Sequence, residues 1–193
     1  MIFSFSRKFT WIELVVCIAM LVIAFYFLTP KLNTIKDRDN SLRCRNSLKQ
    51  LGIAMQLYVE ARGGGSHYPP FNGAEFWTHM YRTEVMVDFQ LYLCPETDDD
   101  NNEGRDLATG SSPLPRACSY GGRIHALGDP RRIYTGRDAQ DTPIGCDDDE
   151  GDANHFEAVN VLFLDNSCRE MLSPDPLLGG KRIGAGILSV CTN

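Results

Sequence analysis

Residues 9 to 28, Phe9-Thr-Trp-Ile-Glu13-Leu-Val-Val-Cys17-Ile-Ala-Met-Leu-Val-Ile-Ala-Phe25-Tyr-Phe-Leu28, are apolar on every helical face, with one charge at Glu13. Twenty helical residues at about 1.5 Å each reach about 30 Å, the thickness of a bilayer's hydrocarbon core. The stretch therefore predicts a membrane-inserted helix. From Lys31 to about Arg62 the pattern changes to Leu32, Ile35, Leu42, Leu48, Leu51, Met55 and Tyr58, spaced mostly by three, four and seven, with charges between. That period predicts an amphipathic continuation of the same helix, kinked near Pro30, whose ring removes a backbone donor. Gly52 marks a point of close packing, and Gly63-Gly64-Gly65-Ser66 ends the helix.

Beyond the glycines the period shortens. Ala74 to Val87 predicts a short helix carrying Phe76, Trp77, Met80 and Tyr81, and Phe89 to Leu93 a short strand ending at Cys94-Pro95. Residues 96 to 116, acidic and then rich in Gly, Ser and Pro, predict a surface loop, with a further strand near Ile124. The clearest hairpin is Val159-Asn-Val-Leu-Phe-Leu164, Asp165-Asn166, Ser167-Cys-Arg-Glu-Met-Leu172, because Asp and Asn both tolerate positive φ in a tight turn. Pro174 to Asn193 ends in a candidate edge strand. The fold class is α+β, a long N-terminal helix packed on a small antiparallel sheet. Its divisions are a leader over 1–8, a membrane helix over 9–30, an amphipathic stalk over 31–62 and a globular head over 63–193.

Charge orients this arrangement. Arg7 and Lys8 are the basic residues before the apolar run, which favours a cytoplasmic N terminus and an extracytoplasmic head. No small-residue cleavage site follows the run, so removal as an ordinary signal peptide is not expected. The formal net charge of -6 argues against nucleic acid as a partner. Of seven cysteines, Cys17 lies in the apolar helix; the other six, Cys44, Cys94, Cys118, Cys146, Cys168 and Cys191, fall where disulfides persist. Six permit fifteen pairings, and sequence does not choose among them. Cys44 with Cys94, bridging stalk to head, and Cys118 with Cys146 are the candidate pairs.

A basic leader, then Phe-Thr-x-Ile-Glu-Leu-Val-Val over 9–16, then an apolar helix with Pro thirteen residues after Cys17, resembles the N terminus of the type IV pilin superfamily. The bacterial pilin-like proteins with a type II secretion-style N terminus and a larger head are a closer match. Their helix continues as Cys-x-x-Asn-Leu-Lys-Gln-Leu-Gly, similar to Cys44-Arg-Asn-Ser-Leu-Lys-Gln-Leu-Gly52 here. Their heads carry a Cys-Pro loop, a late His and Asn-Val-Leu-Phe-x-Asp-Gly-x-Val, which Cys94-Pro95, His155 and Asn160-Val-Leu-Phe-Leu-Asp-Asn-Ser167 resemble. Lys8 stands where the processing peptidase of that family usually finds Gly, Trp11 replaces Leu, and Asn166 replaces the turn Gly.

The resemblance implies a structural subunit of a type IV pilus-like or type II secretion pseudopilus-like filament. Its partners are then other copies of itself, the bacterial inner membrane and the assembly machinery. Lys8 and Phe9 become the processing and methylation residues, and Phe9, Glu13 and Pro30 the assembly residues. An amine created at Phe9 lies one helical turn from Glu13, and pairing them in lipid lowers the cost of both charges. Pseudopilin heads often hold calcium, and Asp147, Asp148, Asp149 and Asp152 are the candidate ligands, although the run lacks the EF-hand pattern and a solvated acidic loop is the simpler reading. No other cofactor is expected. The four histidines, His67, His79, His125 and His155, are scattered without paired Cys-x-x-Cys or His-Glu-x-x-His spacing, so zinc has no strong ligand set in the sequence. His155 is expected to make a buried hydrogen bond that fixes the hairpin. No catalytic constellation is visible, and the chain reads as a non-enzyme. The rival reading is a membrane-anchored extracytoplasmic module that binds calcium or a glycan.

Overall fold

The computed structural model describes residues 10–65, 67–109, 117–123, 142–147, 155, 158–172 and 191–192. The protein is α+β and divides into a unit through Asp37 and a second unit, Arg38–Asn193. Helix α1, Trp11–Ala61, is assigned without interruption through Pro30. In the first unit its apolar residues are exposed all round, from Trp11 and Ile12 through Phe25, Tyr26 and Leu28. This is the one helix among the described residues that is long and apolar enough to cross a membrane.

In the second unit α1 buries one stripe: Asn40, Ser41, Cys44, Leu48, Leu51, Ala54, Met55, Tyr58 and Val59. The spacing is the helical one expected, but the stripe starts later and its N-terminal end is polar: of the apolar positions expected on it, Leu32, Ile35 and Leu42 are exposed. The helix ends as expected at the glycine run, where Arg62 and Gly63 both donate to the Tyr58 carbonyl and Gly64 and Gly65 take positive φ.

Helix α2, Ala74–Arg82, stops before the expected Val87, because Thr83 caps it and Glu84 turns at φ 59°. Phe89–Tyr92 is a 3₁₀ turn, η1, in place of the expected strand. The Asp88 carboxylate accepts from Gln90 N at 3.1 Å, and Asn101 Nδ2 donates to Phe89 O at 2.7 Å, so this short apolar run is capped as a helix start. Part of the expected surface loop is structured: α3, Arg105–Ala108, buries Leu107, and Asn101 is fully buried.

Five antiparallel strands form one sheet in the order β4-β3-β2-β1-β5. They are β1 Tyr120–Arg123, β2 Pro143–Asp147, β3 Ala158–Phe163, β4 Cys168–Leu172 and β5 Cys191–Thr192. The predicted hairpin is present, with Leu162 opposite Cys168 and Asn166 at φ 63°, and the tail supplies the expected edge strand. Strand β2 is an addition: its five residues, ending in the acidic Asp147, are all buried.

One sheet face meets the helices. Gly145 lets the Trp77 indole lie against β2, since a Cβ there would stand 2.2 Å from Trp77 Cζ2. Trp77 Nε1 donates to Gly121 O at 3.1 Å, fixing the ring. Gly52 of α1 likewise faces the hairpin turn, 2.1 Å from its absent Cβ to Asn166 Oδ1. Tyr120, Leu162, Trp77, Phe76 and Leu48 join the core on this side.

Candidate metal centre

Four chain segments converge beside the polar end of the α1 stripe. Cys44 comes from α1, Cys94 from the turn after η1, Asp147 from the end of β2, and His155 from the segment before β3, where it bridges to Ala158. Each is buried, at 0, 2, 1 and 1 % exposure respectively, so the cluster is closed to solvent. The two sulfurs and a His155 ring nitrogen all lie within 4.8 Å of one another.

Each side chain is held by local chemistry. Pro95 occupies the second position of a β-turn closed by Thr97 N to Cys94 O at 3.2 Å, a position its fixed φ suits. Ser119 Oγ accepts from Cys94 N at 3.0 Å and donates to Asp99 Oδ2 at 2.5 Å, while Asn40 of α1 donates to the Glu96 carboxylate. Asp147 accepts from Asn160 N at 2.6 Å and from Asn160 Nδ2 at 2.7 Å. The same Nδ2 reaches Ser41 O and Oγ at 3.2 Å, so one amide ties β2 and β3 to the stalk helix.

Two further contacts fall on one imidazole nitrogen. His155 Nε2 is 3.5 Å from Cys94 Sγ and 3.4 Å from Asp147 Oδ2. A thiol–imidazole–carboxylate relay instead needs thiol and carboxylate on opposite ring nitrogens. The arrangement is convergent, as around a shared proton or cation.

The electrostatics follow from burial and from this convergence. The hydrogen bond between the two thiols raises Cys44, and burial raises it further. The same bond, with help from His155, lowers Cys94. Burial pushes Asp147 up to about 7 against the opposing pull of His155 and Asn160. Nearby on β4, burial raises Cys168 to about 12.

The residues singled out by sequence are distributed as follows. Cys44 and Cys94 meet as expected but as free thiols. The expected bridge between Cys118 and Cys146 is not formed. Cys118 packs in the helix-side core, whereas Cys146 neighbours Gly145 and Asp147 on β2 with its side chain on the opposite sheet face. Asp147 faces His155 and Asn160 from a buried strand and is not part of a solvated acidic loop. Asp148, Asp149 and Asp152 lie outside the described residues, as do Lys8, Phe9 and His125. Glu13 caps the start of α1, accepting from Thr10 N and Oγ1 at 2.9 Å each, and Pro30 lies within α1. His155 is buried and bonded as expected, but to Cys94 and Asp147 and not to the hairpin turn.

Sequence reasoning passed over the cluster as a ligand set because its members stand 50 and 61 residues apart along the chain, with no short motif joining them. The signal that was available is the burial-prone pair Cys44 and Cys94, followed late in the chain by His155. No protein-family model, no curated protein and no solved structure matches the chain.

Proposed function

We propose that the protein is a structural subunit of a type IV pilus-like or type II secretion pseudopilus-like filament, stored in a bacterial inner membrane and assembled through α1. The observation that carries this reading is the apolar surface of Trp11–Leu28, exposed on every side and interrupted by one carboxylate in its first turn. An anchor needs only the apolar length. An unpaired carboxylate costs about 2.5–3.5 kcal/mol at the centre of a membrane helix and less toward its ends, a cost that favours a site where a cationic group pairs with Glu13. An α-amine at Phe9 of the same or a neighbouring copy supplies such a group, and side-by-side packing of Val15, Ile18, Leu21, Val22 and Phe25 supplies the contact area. The stalk half of α1 packed on an antiparallel sheet is compatible with a pilin-like head. The N terminus is then cytoplasmic and the head extracytoplasmic.

Glu13→Ala tests the reading in cells that make the protein. Removing the charge leaves membrane insertion intact or improves it, while the yield of sheared filaments falls to about a tenth or less, as expected if a pair worth more than ~1.4 kcal/mol is lost. Normal filaments from the variant, or a chain that never leaves the membrane in either form, would instead favour the anchored binding module.

A further inference from the structure

We propose that Cys44, Cys94 and His155 form a structural zinc(II) site, with Asp147 placed to complete it, that staples the stalk helix to the head. Three atoms within 4.8 Å of one another admit a point no more than about 2.8 Å from each, close to Zn–S and Zn–N bond lengths of ~2.3 and ~2.0 Å. A tetrahedral shell with those bonds has S···N edges of ~3.5 Å and N···O edges of ~3.3 Å. The structure places Cys94 Sγ at 3.5 Å and Asp147 Oδ2 at 3.4 Å from the same nitrogen. Asp147 stands outside the three-atom group, so it joins the shell by moving toward the sulfurs.

The donor set selects the metal. Two thiolates and an imidazole suit Zn²⁺ and disfavour Mg²⁺ or Ca²⁺, which take oxygen. Each Zn–S bond forms as a thiol gives up its proton to solvent; Zn²⁺ balances the two thiolates beside a neutral imidazole, and the Asp147 carboxylate, once bound, leaves the shell with a single net negative charge. Asn160 holds Asp147 through two hydrogen bonds and reaches Ser41 on α1, the kind of outer contact that fixes ligand orientation. Burial of every ligand leaves no open position for substrate, which makes the site structural.

The test uses the full-length chain, reduced and stripped with chelator in detergent, then titrated with Co²⁺ and afterwards Zn²⁺. The expected result is one equivalent of Co²⁺ with a thiolate-to-metal charge-transfer band, displaced by Zn²⁺. Metal protects Cys44 and Cys94 from alkylation in peptide mapping and leaves Cys17 labelling unchanged. Cys44→Ser and His155→Ala weaken binding by about a hundredfold or more, beyond the 10–100-fold loss typical of outer contacts; Cys17→Ser binds as wild type. If His155→Ala does not fold, the wild-type protection still decides. Absence of both the band and the protection overturns the proposal, as does a Cys44–Cys94 disulfide in the chain as isolated.

Discussion

Gly145→Ala places a methyl where the structure has none to spare. The new Cβ would lie 2.2 Å from Trp77 Cζ2, 2.9 Å from Cε2 and 3.0 Å from Gly121 O. The ring cannot swing away freely, because it is fully buried, stacks edge-on against Phe76 at 5.0 Å and donates to Gly121 O. Overpacking of this kind costs about 1–3 kcal/mol, and displacing the indole adds the loss of one buried hydrogen bond, about 0.5–1.5 kcal/mol. The expected destabilisation is thus about 2–4 kcal/mol. Urea unfolding of the full-length chain in non-ionic detergent, read by pulse proteolysis, measures it as a lower midpoint at unchanged slope. Trp77→Phe removes the clashing atoms, so the penalty of Gly145→Ala shrinks by about 1–2 kcal/mol in that background. A cost under about 0.5 kcal/mol, or strict additivity of the two changes, would refute the packing argument.

Gly52→Ala has two opposing effects: a gain of about 1 kcal/mol in helix propensity and a clash at 2.1 Å with Asn166 Oδ1. The substitution is expected to be near neutral alone and stabilising by up to about 1 kcal/mol in an Asn166→Gly background, which also suits φ 63° and leaves only the Leu162 Cδ2 contact at 3.1 Å to relax; denaturation midpoints of the four chains check this. Cys168, held at about 12 by burial, is largely thiol at pH 8. Its alkylation is expected to be about a hundredfold slower than that of a free cysteine, after allowing for the greater nucleophilicity of a more basic thiolate. Because the pKa is raised, its rate should keep climbing about tenfold per pH unit beyond pH 9, where a free thiol levels off; a plateau near pH 9 in quantitative peptide mapping would contradict it.

The long helix, its glycine stop, the hairpin and the edge strand were legible because each rests on local signals: period, breakers and the φ preference of Asn166. Phe89–Tyr92 was not, since four apolar residues fit a strand or a helical turn equally, and the deciding partners Asp88 and Asn101 act through side-chain bonds. Strand β2 escaped notice because Asp147 looks like the first residue of an acidic loop, and its burial depends on His155 and Asn160 from elsewhere in the chain. The candidate centre needed the sheet topology: β2 and β3 bring Asp147 and Asn160 side by side, and α1 delivers Ser41 and Cys44 to the same spot. Leu42 shows the limit of apolar counting, as polar Ser41 takes the buried place beside it to reach Asn160.

The claim that α1 builds a filament core is tested most directly by a photo-crosslinking phenylalanine analogue at Phe25, which is 74 % exposed on the apolar helix. One such group per chain can join each copy to its neighbour. Irradiation of cells is expected to give a ladder of dimers, trimers and higher species, which collapses to monomer in a Glu13→Ala background. A wild-type chain that yields monomer alone would contradict the account.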